Sequence, residues 1–304
     1  MITTNLTGNL GNHMWQYSVC RAVAKKLGYE WGINPSPTYD YHGGMNQMYF
    51  MDVDFGKPVQ GEFTNFYEKW IHYPHNGEMI NITMLDNRIY SISDNTRLIG
   101  DGGAHGGIYQ CEDYFIDIRD KVIEWFKIKH EKSLEYNNKL NEFNITLDEN
   151  LCVINFRGGE YRGIHSTLLR KEYWRDSINH MLSINQNMKF IIITDDPEFA
   201  KLYMPFDIPT YHLDIGFDFY VVNQSKWVIL SNSTFGWWAA WLNTNANKIL
   251  APKYWAKHNI SDGYWCVGES YTRGFTYIDR EGNLSDYESC KIEAKEYYKN
   301  KNLY

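Results

Sequence analysis

Residues 229–242 read ILSNSTFGWWAAWL, and the architecture is read outward from them. Trp227, Val228, Ile229 and Leu230 form a short apolar run of the kind found in buried strands. Four small polar residues follow, Ser231, Asn232, Ser233 and Thr234, and then a tryptophan-rich helical stretch. A strand ending in this way points the free N–H groups of the helix start, and the positive end of its dipole, beyond the strand's carboxyl end. Such a place favours an anion, and the Ser and Thr hydroxyls add donors without bulk. Ser, Asn and Thr are also the usual N-caps, so these four residues alone leave an anion site and plain capping open.

Strands and helices alternate on both sides of this stretch. Strand-like runs fall at Cys152–Phe156, Phe190–Ile193, Pro209–Leu213, Trp227–Leu230 and Ile249–Ala251. Helical patterns lie between them, near Arg170–Leu182, Pro197–Leu202, Phe217–Gln224 and Phe235–Asn243. The alternation predicts a parallel sheet covered by helices, with ligands at the carboxyl ends of its strands. At the start of the chain, Met1–Leu6 reads as a strand, Gly8–Asn12 as a turn, and His13–Leu27 as a helix closed by Gly28. From Tyr29 to His105 the pattern is irregular and predicts short strands and long loops. Gly100–Gly107 reads as a flexible connection, Cys111–Ile128 as a helix, Lys129–Asn150 as an interdomain helix and linker, and Asp286–Tyr304 as a charged amphipathic helix.

Composition narrows the classes. A chain of 304 residues favours two domains. Its 11 Trp and 24 Tyr suit the flat faces of sugars, although an aromatic core is the commoner use of them. A net charge of −7 without any basic run argues against nucleic acid as a partner, and leaves an anionic substrate to be met by a few local cations. The five cysteines are widely spaced and form no CxxC pair, which predicts a reduced, intracellular chain without structural zinc. The first residues lack the basic and apolar regions of a signal peptide, and no run of eighteen apolar residues predicts a membrane span. The expected location is the cytoplasm, with peripheral docking at a membrane left open.

Arg157 follows the first strand of the second half, in NFRGGEY (residues 155–161). A guanidinium at a strand's carboxyl end can clamp a pyrophosphate with two parallel hydrogen bonds. A structural pairing with Glu160 is the alternative, and the nearby Ser231–Thr234 stretch tips the reading toward the clamp. Asp195 and Asp196 end the next strand; they suit either a metal or, with Asp196 as N-cap and Pro197 at N1, a helix start, and the cap is preferred. Asp52-Val53-Asp54 is a lone DxD of the kind that holds a divalent ion at a nucleotide sugar, in an acidic chain where such triplets arise by chance. The histidines show no metal-binding spacing.

These segments together carry a resemblance. GNLGNHMWQYS resembles the GxxGNQxxQYA opening of the family 11 glycosyltransferases, the bacterial α-1,2-fucosyltransferases. GIYQCEDYFIDIRDKV is similar to that family's GYxQxxxYFxxI segment, and NFRGGEY sits where the family has HxRRGDY. ITDDPEFAK, DFYVVNQSKWVILSNSTFGWWAAWLN and ILAPKYW match its remaining segments in the same order. The resemblance covers most of the chain.

It implies an α/β fold of the GT-B type: two Rossmann-like domains with parallel sheets, residues 1–150 on the acceptor side and 151–304 holding the donor. It also implies metal-independent transfer from GDP-fucose with inversion at the anomeric carbon, no cofactor beyond this nucleotide-sugar co-substrate, and an oligosaccharide or lipid-linked glycan as acceptor. Carried over by position, Arg157 holds the pyrophosphate and the leaving group, while Ser233 and Thr234 meet the phosphates beside Ser231 and Asn232. Gly11 and Asn12 approach the donor from the other half, and Asp218 shapes the donor pocket beside Asn155. Glu160 and Asp218 are the nearest candidates for a catalytic base. Departures from the pattern are His13 for Gln, Asn155 for His, Gly158 for the second Arg and Glu160 for Asp. Those changes keep two rivals in view, another nucleotide sugar as donor and a non-catalytic binding module with a decayed loop.

Overall fold

The computed structural model describes residues 1–34, 47–75, 78–83, 85–100, 109–255, 258–259 and 271–302. The chain divides into two units, the first comprising Met1–Lys129 and the second beginning at His130. The second unit thus starts ahead of the boundary expected after residue 150. The reason lies in packing. The helix expected as a linker sets Tyr136 against Phe217 and Tyr220, and Asn137 Oδ1 accepts from the Tyr220 hydroxyl at 3.0 Å.

In the first unit β1 (Ile2–Asn5) leads into α1 (Leu10–Leu27), and β2 (Trp31–Asn34) returns beside β1. Helix α1 starts three residues earlier than its apolar pattern suggests, so Gly11 and Asn12 lie in its first turn. It ends as expected: Gly28 takes the left-handed conformation at φ 72° and its N–H returns to the Ala24 and Lys25 carbonyls. The irregular region holds β3 (Thr64–Tyr67), an antiparallel hairpin of β4 (Trp70–His75) and β5 (Glu78–Thr83), and β6 (Thr96–Ile99). Strands β2, β1, β6 and β3 form a sheet in that order, parallel throughout. Residues 101–107 of the glycine-rich connection lie outside the described residues.

The long helix expected over Cys111–Ile128 is broken. Two single 3₁₀ turns, Glu112–Tyr114 and Ile116–Ile118, precede α2 (Arg119–Trp125). Tertiary contacts override local propensity here. The Tyr114 hydroxyl accepts from the Asp86 N–H, and the fully buried Phe115 stands at φ −146°, outside the helical region.

The second unit opens with α3 (His130–Glu142) and continues through β7 (Leu151–Phe156), α4 (Lys171–Ile184), β8 (Lys189–Thr194) and α5 (Pro197–Tyr203). Then come β9 (Thr210–Tyr211), α6 (Ile215–Gln224), β10 (Trp227–Leu230) and α7 (Thr234–Trp241). Finally β11 (Lys248–Pro252), β12 (Thr276–Ile278), β13 (Leu284–Ser285) and α8 (Tyr287–Asn300) complete it. The sheet order is β13-β12-β11-β10-β7-β8-β9, parallel except for the β13 edge. Numbered from β7, its parallel strands run 3-2-1-4-5-6, the doubly wound Rossmann order, which reverses direction between β7 and β10.

The tryptophans are mostly core. Trp237 stacks on Trp241 with centroids 5.6 Å apart, Trp238 meets both edge-on, and Trp237 Nε1 donates to Thr272 Oγ1 at 2.7 Å. From Gly236 to Trp241 helix α7 is therefore buried on every side, which fixes where its first turn points.

Candidate active site

The strand order reverses between β7 and β10, and in open parallel sheets ligands bind beyond the strand ends at such a reversal. The residues that follow those two strands are Arg157–Tyr161 and Ser231–Thr234. Asn155 and Ser231 join the two ends: the Ser231 N–H donates to the Asn155 carbonyl at 2.9 Å and Ser231 Oγ to Asn155 Oδ1 at 3.3 Å. Both side chains are buried, and a Cβ on Gly236 would stand 2.1 Å from Asn155 Oδ1. Glycine in the first turn of α7 is what lets Asn155 occupy that space.

Ser233 is the N-cap of α7, but its side chain makes no capping hydrogen bond. The Asn232 amide is committed elsewhere, donating to the Thr167 carbonyl at 2.8 Å and the Trp255 carbonyl at 3.3 Å. Asn232 and Ser231 thus hold the loop in shape, while Ser233 and the half-buried Thr234 stand at the helix start.

Arg157 has a partner that its sequence neighbourhood did not announce. Its Nη1 donates to Asp195 Oδ2, while Glu160 is 4.0 Å from its Nη2 and the Tyr161 ring centroid 5.5 Å from its guanidinium carbon. The other oxygen of Asp195 accepts from the Gly158 N–H at 2.9 Å. One carboxylate thereby fixes both the loop and its arginine. The two glycines serve this approach: a Cβ on Gly158 would lie 2.8 Å from Asp196 Cβ, and one on Gly159 would collide with Asp195. Asp196 takes the expected cap, accepting from the Phe199 N–H at 3.2 Å with Pro197 in the first turn. Glu160 is open to solvent.

Asp218 lies two strands along, on α6 behind the end of β9. It is buried, and its Oδ2 is 2.6 Å from Nδ1 of the partly exposed His212. Its Oδ1 accepts from the Leu213 N–H at 3.3 Å. Burial raises the Asp218 pKa, and the hydrogen bond to Asp218 raises that of His212. Sequence reading set His212 aside for lack of metal spacing. The signal for it was positional: HLDIGFD puts His212 at a strand end, Asp214 at the following N-cap and Asp218 one turn on.

Gly11 and Asn12 belong to the first unit. Asn12 folds back against Gly8 and accepts from Gln110 Nε2 at 3.3 Å. Its neighbour His13 is buried, and burial lowers its pKa to about 4, so the ring is neutral near pH 7. Gln16 ties β1 to β6, accepting from the Thr7 N–H at 2.8 Å and donating to the Gly100 carbonyl at 2.5 Å.

Asp52 and Asp54 line a cleft of about 520 Å³ in the first unit with Glu124, Arg21, Lys25 and Lys121, so carboxylates and cations there are equal in number. Asp54 also accepts from the Gly56 N–H at 2.8 Å. Among the described residues no group of three His, Cys, Asp or Glu is arranged to hold a metal, and no helix is long and apolar enough to cross a membrane.

Residues 103–279, more than half of the chain, match the family described as Glycosyl transferase family 11, and the chain belongs to that family. It is 24% identical over 300 residues to an alpha-1,2-colitosyltransferase of Escherichia coli, covering 90% of this chain and 98% of that one. It is 26% identical over 156 residues to the O-antigen biosynthesis glycosyltransferase WbnK of Escherichia coli, covering 46% and 51% of the two chains. A solved structure of NodZ alpha-1,6-fucosyltransferase soaked with GDP-fucose superposes with a TM-score of 0.48 at 10% identity, over 93% of this chain and 97% of the other.

Proposed function

We propose that the chain moves L-fucose from GDP-fucose to a glycan hydroxyl in α-1,2 linkage, inverting the anomeric carbon and using no metal. The observation that carries this reading is that Arg157 and the first turn of α7 follow β7 and β10, the two strands between which the strand order reverses. The acceptor oxygen attacks the anomeric carbon, the bond from that carbon to the phosphate oxygen breaks, and its electron pair leaves with the nucleotide. Charge builds on the departing diphosphate, where a guanidinium and aligned N–H dipoles stabilise the transition state more than the ground state. These groups oppose the phosphate charge without a divalent ion. Of the two candidate bases, Glu160 is the carboxylate open to an incoming hydroxyl, since both Asp218 oxygens are engaged. Glu160 accepts the proton in this reading. The acceptor is an oligosaccharide or lipid-linked glycan met in the cytoplasm, at or near a membrane surface.

A second donor has a specific observation behind it. The relative matched along nearly its full length is named for colitose, which is fucose without its 3-hydroxyl. A thermal-shift panel separates these cases. A ligand that binds only the folded state at a hundredfold excess over Kd stabilises it by about 2.7 kcal/mol, roughly 4 °C at this size. GDP is expected to shift melting more than UDP, CDP, ADP or TDP, and a UDP-selective shift would sink the GDP-sugar assignment. Comparing transfer from GDP-fucose with transfer from its 3-deoxy analogue decides the sugar.

A further inference from the structure

The cleft of about 520 Å³ in the first unit has no part in the proposed transfer, yet it is built as ligand clefts are, and its size falls within their usual span of about 300–1,000 Å³. It lies at the amino end of the first sheet, where Trp31 begins β2. Arg21 and Lys25 reach it from the last two turns of α1. At 1.5 Å rise per residue they stand about 14 and 20 Å along the helix from Asn12, which lies in the first turn. The cleft is therefore separate from the Gly11–Asn12 end of the unit.

Backbone contacts fix its walls. The Asp52 N–H donates to the Lys127 carbonyl at 2.8 Å, and Met51 forms a β-bridge with Ile128, so the segment bearing both aspartates is tied to the chain that follows α2. The Asp54 carbonyl accepts from the Tyr17 hydroxyl at 2.7 Å. The floor is aromatic. Tyr17 meets Trp31 and Trp125 edge-on with centroids 5.5 and 6.3 Å apart. The Arg21 guanidinium carbon lies 4.7 Å from the Trp31 centroid and 4.3 Å from that of Trp125, and Arg21 Nη1 donates to the Tyr17 hydroxyl at 2.6 Å.

The groups left unsatisfied select the ligand. Lys121 is paired with Glu124 at 3.0 Å, and Asp54 accepts from the Gly56 N–H. Arg21 meets no carboxylate, and the side-chain polar atoms of Lys25, Tyr29 and Asp52 make no hydrogen bond or ion pair among the described residues. The half-buried Tyr29 ring also has no aromatic partner there. Carboxylates and cations balance, so the cleft has no net charge to draw a polyanion, and its three cations oppose a divalent ion. Unused donors and an unused carboxylate beside flat apolar rings suit a polyol. Each hydroxyl of a sugar both donates and accepts, and its C–H face packs on an aromatic ring.

We propose that this cleft is a second, non-catalytic carbohydrate site that holds a neutral oligosaccharide. Tyr29 and Trp31 stack on a sugar face, Asp52 accepts from its hydroxyls, and Lys25 and Arg21 donate to them. The Asp52-Val53-Asp54 triplet then serves as a hydroxyl acceptor and not as a metal ligand. The site requires neither donor nor transfer, so it goes beyond the nucleotide-sugar reading and does not depend on it.

The test is ¹⁹F NMR of the full chain labelled with 5-fluorotryptophan, in which the Trp31 line is assigned by its loss in Trp31→Phe. The probes are free di- to hexasaccharides built from glucose, galactose and their N-acetylated amino sugars, with sialylated and sulfated oligosaccharides and Mn²⁺ alongside. Neutral oligosaccharides are expected to move the Trp31 line saturably. Tyr29→Ala and Asp52→Ala are expected to weaken that response at least about tenfold, the effect of losing a stacked ring or a charge-assisted hydrogen bond. Asp52 is exposed and its side chain has no partner, so Asp52→Ala is expected to melt like wild type even if Tyr29→Ala does not. A Trp31 line that no neutral oligosaccharide moves, or a response that keeps wild-type affinity in Asp52→Ala, overturns the inference. So does a response confined to the sialylated and sulfated probes, or a saturable effect of Mn²⁺ that Asp52→Ala abolishes. Each of these outcomes leaves the transferase reading standing, because none of them involves the donor.

Discussion

At the carboxyl end of the first sheet, Glu68 follows β3 and is sealed from solvent, accepting from the Tyr114 hydroxyl at 2.6 Å and the Tyr109 N–H at 3.0 Å. At the same end of the second sheet, Asp195 follows β8 and pairs with Arg157, while Asp218 pairs with a half-open histidine. Both edges collect carboxylates, yet they are handled in opposite ways. Burial raises the Glu68 pKa to about 7 without a cation beside it, so near neutrality it is close to surrendering its charge. Asp195, by contrast, is paired directly with an arginine. Hydrogen bonds seal one strand end, whereas the other carries charged pairs that remain partly exposed. Tyr109 and Tyr114 lie in the family-like GIYQCEDY segment, and in this chain both donate to Glu68 at the end of β3.

The strongest way to break this contrast is at Arg157. Arg157→Ala is expected to lower turnover at least about a hundredfold, roughly 2.7 kcal/mol in the barrier, with little change in melting temperature. Lys at this position is expected to rescue poorly, because it cannot present the planar pair of donors. Near-normal transfer by the alanine variant would remove Arg157 from the mechanism.

Glu68 tests the other edge through stability. Its folded pKa is about 7 and its reference value 4.5, so the unfolded chain loses the proton first. The folded state therefore loses stability as pH rises from about 4.5 to 7, and the loss is complete above that window. The expected loss is about 2 kcal/mol by pH 8, after discounting for relaxation around the charge. Denaturant titrations of wild type and Glu68→Gln at pH 5 and pH 8 check this: the variant should gain relative to wild type at pH 8 and not at pH 5. An equal difference at both values would mean that Glu68 is charged throughout.

A smaller effect is expected at Gly236. Alanine there forces Asn155 Oδ1 out of its place against α7 and disturbs the Ser231 contact between β7 and β10. A cost of about 1–3 kcal/mol in stability is expected, as for overpacking of a close contact. A larger loss of donor affinity than of stability would show that Asn155 itself meets the nucleotide.

The smallest expected effect concerns metal. Transfer should persist in excess EDTA, and the double substitution Asp52→Asn with Asp54→Asn should change turnover by less than about twofold, since no step of the proposed catalysis uses a metal ion. Abolition by chelation with recovery in Mn²⁺ would favour a metal-dependent transferase built on Asp52 and Asp54 and end the comparison as drawn.

Five strands of the second sheet, β7 to β11, were legible in the sequence as short runs, and β7 to β10 each lead into a helix, whereas β12 and β13 were not legible. Asp196-Pro197, Asp214 and Ser233 mark those starts without reference to anything distant. The two glycines after Arg157 are visible in the sequence but their purpose is not: they are the clearance that lets Asp195 and Asp196 approach. The broken helix at 111–128 was also beyond reach, since Tyr114 and Phe115 fit a helical pattern and are pulled out of it by burial and by Asp86.

Local signals, in short segments of matching order, determined the strand and helix sequence, the family resemblance and the place where an arginine and a helix start meet. Those features depend on neighbours within a few residues, and a linear reading sees them. The pairings Arg157–Asp195, His212–Asp218 and Glu68–Tyr114 were decided only by tertiary structure. Such pairings fix which charges are answered and which are buried, because charge and burial act through space and not along the chain.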